Sequence, residues 1–380
     1  MIYLDNAATT KVSDEVLTAM MPYFTKQYGN PSSIHIAGQA ASAAVERARS
    51  RIAKTINTNP ENIIFTSGGT EANNLALLGV SNSLEKQGKR HIIATITEHK
   101  SVISCMKQLF YKGFEITWLT PNKEGEYSFA DVVSAIRKDT GLITMMGVNN
   151  ELGTRNDIHT VAAYCYINNI LFHTDCVQAY GNIDIDTKVI KADFISVSGH
   201  KIHAPKGVGF LYARNKELLN PHMLGGSQEF GLRAGTENVP SIVGLGIAAE
   251  SAYNNLQNGG NLHYQKLRQK FLSIIEKGLG EYGYYLNGNS WHCSKTLNMF
   301  LPDIDGETLL LLLSSKGVCV SAGSACNAHN AEPSYVLKGI GLSDKDARSS
   351  IRVSFSKDTT LDEVEEGARI IVESVKELRG

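Results

Sequence analysis

Lys201 stands at the end of Ala192-Asp-Phe-Ile-Ser-Val-Ser-Gly-His-Lys201, after an apolar run from Phe194 to Val197 and the polar Ser198-Gly-His200. A lysine just past the carboxyl end of a buried parallel strand sits where α/β folds place chemistry. Asp175 closes a second run of the same design, Ile170-Leu-Phe-His-Thr-Asp175. The separation of the two suits one crossover between neighbouring parallel strands. A lysine can form a Schiff base and an acid can pair with a pyridine nitrogen, so this juxtaposition matches a pyridoxal phosphate (PLP) site. A third signal is Thr66-Ser-Gly-Gly-Thr-Glu71, between the strand-like Ile63–Phe65 and the helical pattern of 72–78. Backbone N–H groups at such a helix start make an anion site, although the same turn can serve as a plain strand–helix connection.

Other strand ends carry His99, Asn149-Asn-Glu151 and Gln178, and in an open parallel sheet such ends converge on one crevice. Singly, each has a duller reading: a hydrogen-bonded histidine, a solvated lysine, a surface ion pair for Arg352. Cys326 lies among small and polar residues, Ser321-Ala-Gly-Ser-Ala before it and Asn327-Ala-His-Asn-Ala after it, with Pro333 beyond. That setting predicts an exposed, mobile loop in which a thiol can react. Cys105, Cys165, Cys293 and Cys319 read as buried small hydrophobes. His329 could assist deprotonation of Cys326 or help bind metal.

To position these residues, the chain must supply alternating elements. Strands are expected at 63–65, 92–96, 114–119, 142–148, 170–172, 194–197 and 207–212, the last as an antiparallel candidate. Helices are expected from Ser13 to Gly29 and over 38–55, 101–111, 129–138 and 158–167. The alternation predicts an α/β fold whose large domain holds a mostly parallel seven-stranded sheet with helices on both faces. Residues 225–238 show no period and read as a functional loop. Helices at 241–255 and 262–279 lead into a smaller C-terminal α+β domain. Its strands are expected at 296–300, 318–321 and 351–355, with a leucine-rich helix at 307–315 and a capping box at Thr360-Leu-Asp-Glu363. The expected division is 13–256 for the large domain, with 1–12 and 257–380 forming the small one.

The 380-residue chain has a net charge of −1, which offers no global field for nucleic acid or membrane. It shows no signal-peptide pattern and no apolar run of membrane-spanning length. Six cysteines scattered without a Cys-x-x-Cys pair suit a reducing cytosol and argue against a structural zinc site.

The motifs together resemble the PLP-dependent cysteine desulfurases of the class V aminotransferase family, the NifS/IscS-like group with a long catalytic loop. They are Tyr3-Leu-Asp-Asn-Ala-Ala-Thr-Thr10, Phe65-Thr-Ser-Gly-Gly-Thr-Glu71, Thr97-Glu-His-Lys100, Val148-Asn-Asn-Glu-Leu-Gly153, His173-Thr-Asp-Cys-Val-Gln178 and Ser198-Gly-His-Lys-Ile202. They continue with Arg233-Ala-Gly-Thr-Glu-Asn238, Ser321-Ala-Gly-Ser-Ala-Cys-Asn327, Glu332-Pro-Ser-Tyr-Val-Leu337 and Ser349-Ser-Ile-Arg352, and so span nearly the whole chain. The resemblance implies PLP fold type I (aminotransferase-like). It implies that Lys201 carries PLP, Asp175 pairs with the pyridinium nitrogen, Gln178 and Asn150 approach the ring oxygen, and His99 stacks on the ring. Thr70, Glu71, Ser198 and His200 are expected around the cofactor and its phosphate. Thr236 is expected to reach the phosphate of a neighbouring subunit, which implies a homodimer. Arg352 is expected to clamp the substrate carboxylate, and Asn150 to sit by the substrate as well.

The implied reaction converts L-cysteine to L-alanine. Lys201 or His99 moves protons, and Cys326 receives the sulfur as a persulfide for an acceptor protein in iron–sulfur assembly or tRNA thiolation. No resident metal is implied, beyond transient iron–sulfur ligation at Cys326. Neither membrane nor direct nucleic-acid binding is expected. Cys176, directly after Asp175, replaces the small residue usual in the family and is expected in the crevice but dispensable. A selenocysteine lyase uses the same scaffold and is the alternative reading. The Cys326 stretch argues against an aminotransferase or kynureninase-like enzyme, and the full residue set argues against a catalytically silent scaffold.

Overall fold

The computed structural model describes residues 1–288, 292–322 and 332–380. After the short strand β1 (Ile2–Tyr3), α1 (Asp14–Met20) starts where the Ser13 side chain accepts the Val16 N–H. Asp14 and Glu15 lie at its positive end. The helix does not run on to Gly29. It stops at Met20, and Pro22, which lacks an N–H, opens a separate short helix α2 (Pro22–Thr25). The next helix, α3 (Ile36–Thr55), begins slightly earlier than the apolar pattern implies, because His35 caps it by accepting the Gly38 N–H.

The alternation then follows as expected: β2 (Ile63–Thr66), α4 (Gly69–Gly79), α5 (Ser81–Lys86), β3 (His91–Thr95), α6 (Lys100–Tyr111), β4 (Glu115–Leu119) and α7 (Phe129–Ser134). It continues with β5 (Thr140–Thr144), α8 (Ile158–Ile167), β6 (Leu171–Asp175), β7 (Phe194–Ser198) and β8 (Gly209–Ala213). These strands form one seven-stranded sheet in the order β2-β8-β7-β6-β5-β3-β4. β8 runs antiparallel to both neighbours, and the other pairs are parallel. Along β2 the residues alternate between two apolar cores: Ile63 and Phe65 face one, Ile64 the other. That is the period-two pattern of a sheet covered on both sides.

Two expected elements are shorter. α7 ends at Ser134 because the Arg137 N–H turns to the Thr140 hydroxyl, steering the chain into β5. The β5 ladder ends at Thr144, well before Val148. Beyond it the backbone N–H groups serve the crevice: that of Met146 goes to the Glu98 carboxyl and that of Gly147 to the Asp175 carbonyl.

Beyond the sheet come α9 (Val239–Gln257), α10 (Gly260–Leu279), β9 (Tyr285–Asn287), β10 (Thr296–Phe300), α11 (Gly306–Ser315), β11 (Val318–Cys319) and β12 (Ser321–Ala322). After them are α12 (Tyr335–Gly339), α13 (Asp344–Arg348), β13 (Ser350–Ser354) and α14 (Leu361–Arg379), the last opening with the expected capping box at Thr360 and Glu363. The strand expected over 318–321 is thus divided: β11 pairs with β1, while β12 joins an antiparallel sheet of order β12-β13-β10-β9. A core of Phe271, Ile275, Leu297, Met299, Val353, Phe355 and Ile371 fills this part and takes in Leu4. The amino-terminal segment therefore crosses to the C-terminal sheet and pins its strands beside the crevice. Among the described residues no helix is long and apolar enough to cross a membrane.

Candidate active site

The carboxyl ends of the parallel strands open into a cavity of about 500 Å³. Its walls include Thr70, His99, Asn150, Asp175, Gln178, Ser198, His200, Lys201 and Arg352, so nine of the expected site residues meet there. Two other expected residues stand apart. The Glu71 carboxylate accepts the Ser67 N–H at 2.9 Å and pairs with Arg233 at 2.9 Å, so it braces the glycine turn from outside the cavity wall. Thr236 is exposed and does not line this chain's cavity. Cys326, with His329 and the loop expected around them, lies outside the described residues.

The order of the walls follows the chain. Lys201 ends a short 3-10 turn after β7, and its Nζ donates to the carbonyls of Ala7 (2.6 Å) and Ala8 (2.7 Å). Gln178 Nε2 donates to the same Ala7 carbonyl at 2.9 Å. The amino-terminal segment thus forms the wall that orients both side chains. Next to Lys201, burial first and the charges of Lys201 and Lys206 second bring His200 down to about 4, so it is neutral near pH 7.

Behind the middle of the cavity runs a network that no single motif announced. Asn73 Nδ2 donates to Asp175 Oδ2 (2.7 Å) and to the Ser101 hydroxyl (2.9 Å). Ser101 Oγ lies 2.8 Å from His99 Nδ1, which also accepts the Ser101 backbone N–H at 3.2 Å. An imidazole nitrogen that accepts a backbone N–H carries no proton, so the His99 proton is on Nε2. Burial lowers the His99 pKa, and Lys201 and Lys100 push the same way against the opposing Asp175 carboxylate. A neutral, tautomer-fixed ring results. Asp175 Oδ1 is held in turn by the Val177 N–H at 2.9 Å. Asn73 sits one helical turn after Gly69 and Thr70, and that spacing is the signal by which it could have been found.

Two buried carboxyls had no role assigned from the sequence. Glu98 accepts the Thr95 hydroxyl at 2.5 Å and the Met146 N–H at 2.6 Å. Burial, with the Asp175 charge adding to it, pushes Glu98 up to about 8. Glu151 lines the cavity and is pushed up to about 7 by burial, against the pull of Ser334, Arg352 and Lys100. Both lie inside motifs already singled out, beside His99 and Asn150.

Arg352 on β13 donates from Nη1 to the Asn150 carbonyl (2.9 Å) and pairs through Nη2 with Asp5 (2.8 Å). Its Nε, Asn150 Oδ1 and Asn73 Oδ1 are buried with no hydrogen-bond partner among the described residues. Unpaired buried polar atoms cost free energy, and three of them on the walls of one cavity point to a polar occupant. Cys176 is a correction. It is fully buried in the sheet core rather than in the crevice, and burial pushes its thiol up to about 12.

The residues fit PLP. The first-turn N–H groups of α4, beside Thr70, Ser198 and His200, suit a phosphate. The approach is close because a Cβ on Gly69 would lie 2.6 Å from Val177 Cγ2, and one on Gly209 would lie 2.4 Å from the Val197 carbonyl and 2.8 Å from Gly68 Cα. Asp175 offers an anion to a protonated ring nitrogen, and Lys201 an amine. Among the described residues no His, Cys, Asp and Glu group could hold a metal ion.

Comparison with known proteins agrees with this geometry. Residues 2–366 match the family model for aminotransferase class-V. The chain is 42% identical over 382 residues to a cysteine desulfurase IscS of Neisseria meningitidis serogroup C, covering 100% of this chain and 93% of that one. Among solved structures, a NifS-like protein superposes with a TM-score of 0.90 at 36% identity over 98% of each chain. SspA in complex with cysteine does so with a TM-score of 0.81 at 37% identity, covering 93% of this chain and 99% of that one.

Proposed function

The chain belongs to the aminotransferase class-V family, and from that membership we propose how its residues carry out the reaction of a PLP-dependent cysteine desulfurase. The enzyme converts L-cysteine to L-alanine and passes the sulfur to an acceptor protein. The observation that carries the reading is the convergence of Lys201, Asp175, His99 and Arg352 on one cavity.

Bound PLP supplies an electron sink for negative charge at the substrate α-carbon. Lys201 is the amine that would hold it, Asp175 would pair with the ring nitrogen, Gln178 and Asn150 would serve the ring oxygen, and the start of α4 would hold the phosphate. Arg352 takes the substrate carboxylate, because its fork presents several N–H groups in one plane and Asp5 and Asn150 fix its orientation. Lys201 and the Nε2 side of His99 are the groups placed to move protons. The Cys326 thiolate attacks the substrate sulfur. An S–S bond forms, the C–S bond breaks with its electron pair left on carbon, and protonation of that carbon yields alanine. A second thiolate, on the acceptor, then takes the outer sulfur of the persulfide. The relatives' names favour cysteine over selenocysteine as substrate.

Iron–sulfur assembly or tRNA thiolation is the proposed destination of the sulfur. The scattered free cysteines favour a cytosolic setting. The working unit is a homodimer. Leu17, Met21, Phe24, Tyr28, Ile34 and Ile36 leave an exposed apolar surface around the first three helices. Thr236, which stands away from its own cavity, is then free to reach that of a second copy. A monomeric mass by light scattering would contradict the dimer. Lys201→Ala tests the cofactor assignment: the variant should fold, lose the visible absorbance of the purified protein and release no alanine. Retention of the spectrum and of turnover would overturn it.

A further inference from the structure

Glu151 lies in the turn that follows β5, and the Asn149 side chain shapes that turn by accepting the Glu151 and Leu152 N–H groups, each at 2.9 Å. Against Glu151 lies the buried Ser334, the residue that caps α12. Its hydroxyl accepts the Leu337 N–H at 3.2 Å and spends its one proton on Glu151 Oε2, at 2.5 Å. The next residue, Tyr335, lines the cavity and donates its hydroxyl to the Glu98 carbonyl at 2.6 Å. Leu152 packs in one apolar cluster with Val336, Leu337 and Ile340. Among the described residues, the Glu151 carboxyl, the Tyr335 hydroxyl and an apolar contact tie the start of α12 to the turn after β5 and to the segment before α6.

We propose that Glu151 is a positioning residue: by accepting the Ser334 hydroxyl hydrogen bond it holds Ser334, and with it the adjoining Tyr335 of the cavity wall, in place beside the substrate. This rests on the reading of the chain as a cysteine desulfurase and names a residue of that site with a role of its own. An ionised acceptor makes a hydrogen bond roughly twice as strong as a neutral one, so the bond depends on Glu151 carrying its charge. Burial pushes that carboxyl up to about 7, while Ser334, Arg352 on β13 and Lys100 at the start of α6 act to keep it ionised. His99, Asp175, His200, Lys201 and Tyr335 are the other titratable groups lining the cavity. A carboxyl raised in this way is protonated as pH falls through about 7, so the wall loosens on the acid side and tightens on the alkaline side.

The test uses the PLP-loaded enzyme and L-cysteine, with kcat and KM measured across pH for wild type, Glu151→Gln, Glu151→Ala, Ser334→Ala and the double alanine variant. Wild-type turnover decides whether the underlying reading stands, and the variants decide the role of Glu151. Glu151→Ala and Ser334→Ala should each lower kcat/KM about tenfold while keeping the cofactor spectrum, and the double variant should lose no more than either alone. Glu151→Gln keeps an acceptor oxygen of the same shape, so it should recover much of the loss but lack the wild-type rise in kcat/KM through neutral pH. Additive losses in the double variant would overturn the proposal. So would a Glu151→Gln profile with the wild-type rise intact, or wild-type kcat/KM in Ser334→Ala.

Discussion

At the scale of single residues, the cavity works because its charges are assigned before any ligand arrives. Glu98 is buried beside Asp175, whose charge adds to the burial that makes Glu98 keep a proton near neutral pH. Between the ordinary glutamate value and about 8 the folded chain holds a proton that the unfolded chain has released. Wild-type stability therefore falls as pH rises through that window. Glu98→Gln cannot ionise, so its melting temperature should gain on that of wild type as pH is raised. Parallel melting curves across pH would contradict the assignment. Arg352 makes a second residue-level prediction. Its guanidinium is oriented by Asp5 and Asn150 and keeps a buried Nε–H without a partner among the described residues. Losing a charged hydrogen-bond partner costs about 1.5–3 kcal/mol. Arg352→Ala should raise KM for L-cysteine roughly ten- to hundredfold, while PLP affinity, titrated separately, moves little. Equal losses for both ligands would show that Arg352 serves the cofactor instead.

At the scale of elements, strand ends were the most legible feature, because each combines an apolar period-two run with an abrupt polar ending. Lys201, Asp175 and the glycine turn before α4 were read that way, and the structure places them on one cavity. What escaped reading depends on long-range partners. Nothing local to Ala7 and Ala8 says that their carbonyls will meet Lys201, nearly two hundred residues later. Asn73, Ser101 and Ser334 gain their roles only when the helices carrying them face the sheet. Pro22 was an available signal for breaking the first helix, and the early end of β5 was not, since Met145 and Met146 are as apolar as strand residues. The glycine turn also supplies a test. Alanine normally suits a strand better than glycine does, but a Cβ on Gly209 of β8 would collide with the Val197 carbonyl and with Gly68 behind the phosphate cradle. Such crowding costs about 1–3 kcal/mol and must be relieved by moving the turn. Gly209→Ala should weaken PLP binding markedly in a titration of the apoprotein. Unchanged PLP affinity would show that the turn does not form the phosphate site.

At the scale of the whole molecule, the site belongs to neither sheet alone. The large sheet supplies Lys201, Asp175 and His99. The C-terminal sheet supplies Arg352, and the amino-terminal segment ties the two through Asp5 and the pairing of β1 with β11. The expected strand over 351–355 put Arg352 outside the large sheet, whereas ties such as Glu151 to Ser334 required the folded arrangement. Sulfur transfer through Cys326 is the central claim, and mass spectrometry of the PLP-loaded enzyme after a single turnover with L-cysteine tests it most directly. One alanine should be released for each active site, with a gain of one sulfur atom on the peptide containing Cys326. Cys326→Ser should retain the cofactor spectrum but show neither product. Alanine formed at the wild-type rate by Cys326→Ser, or added sulfur found only on another cysteine, would contradict it.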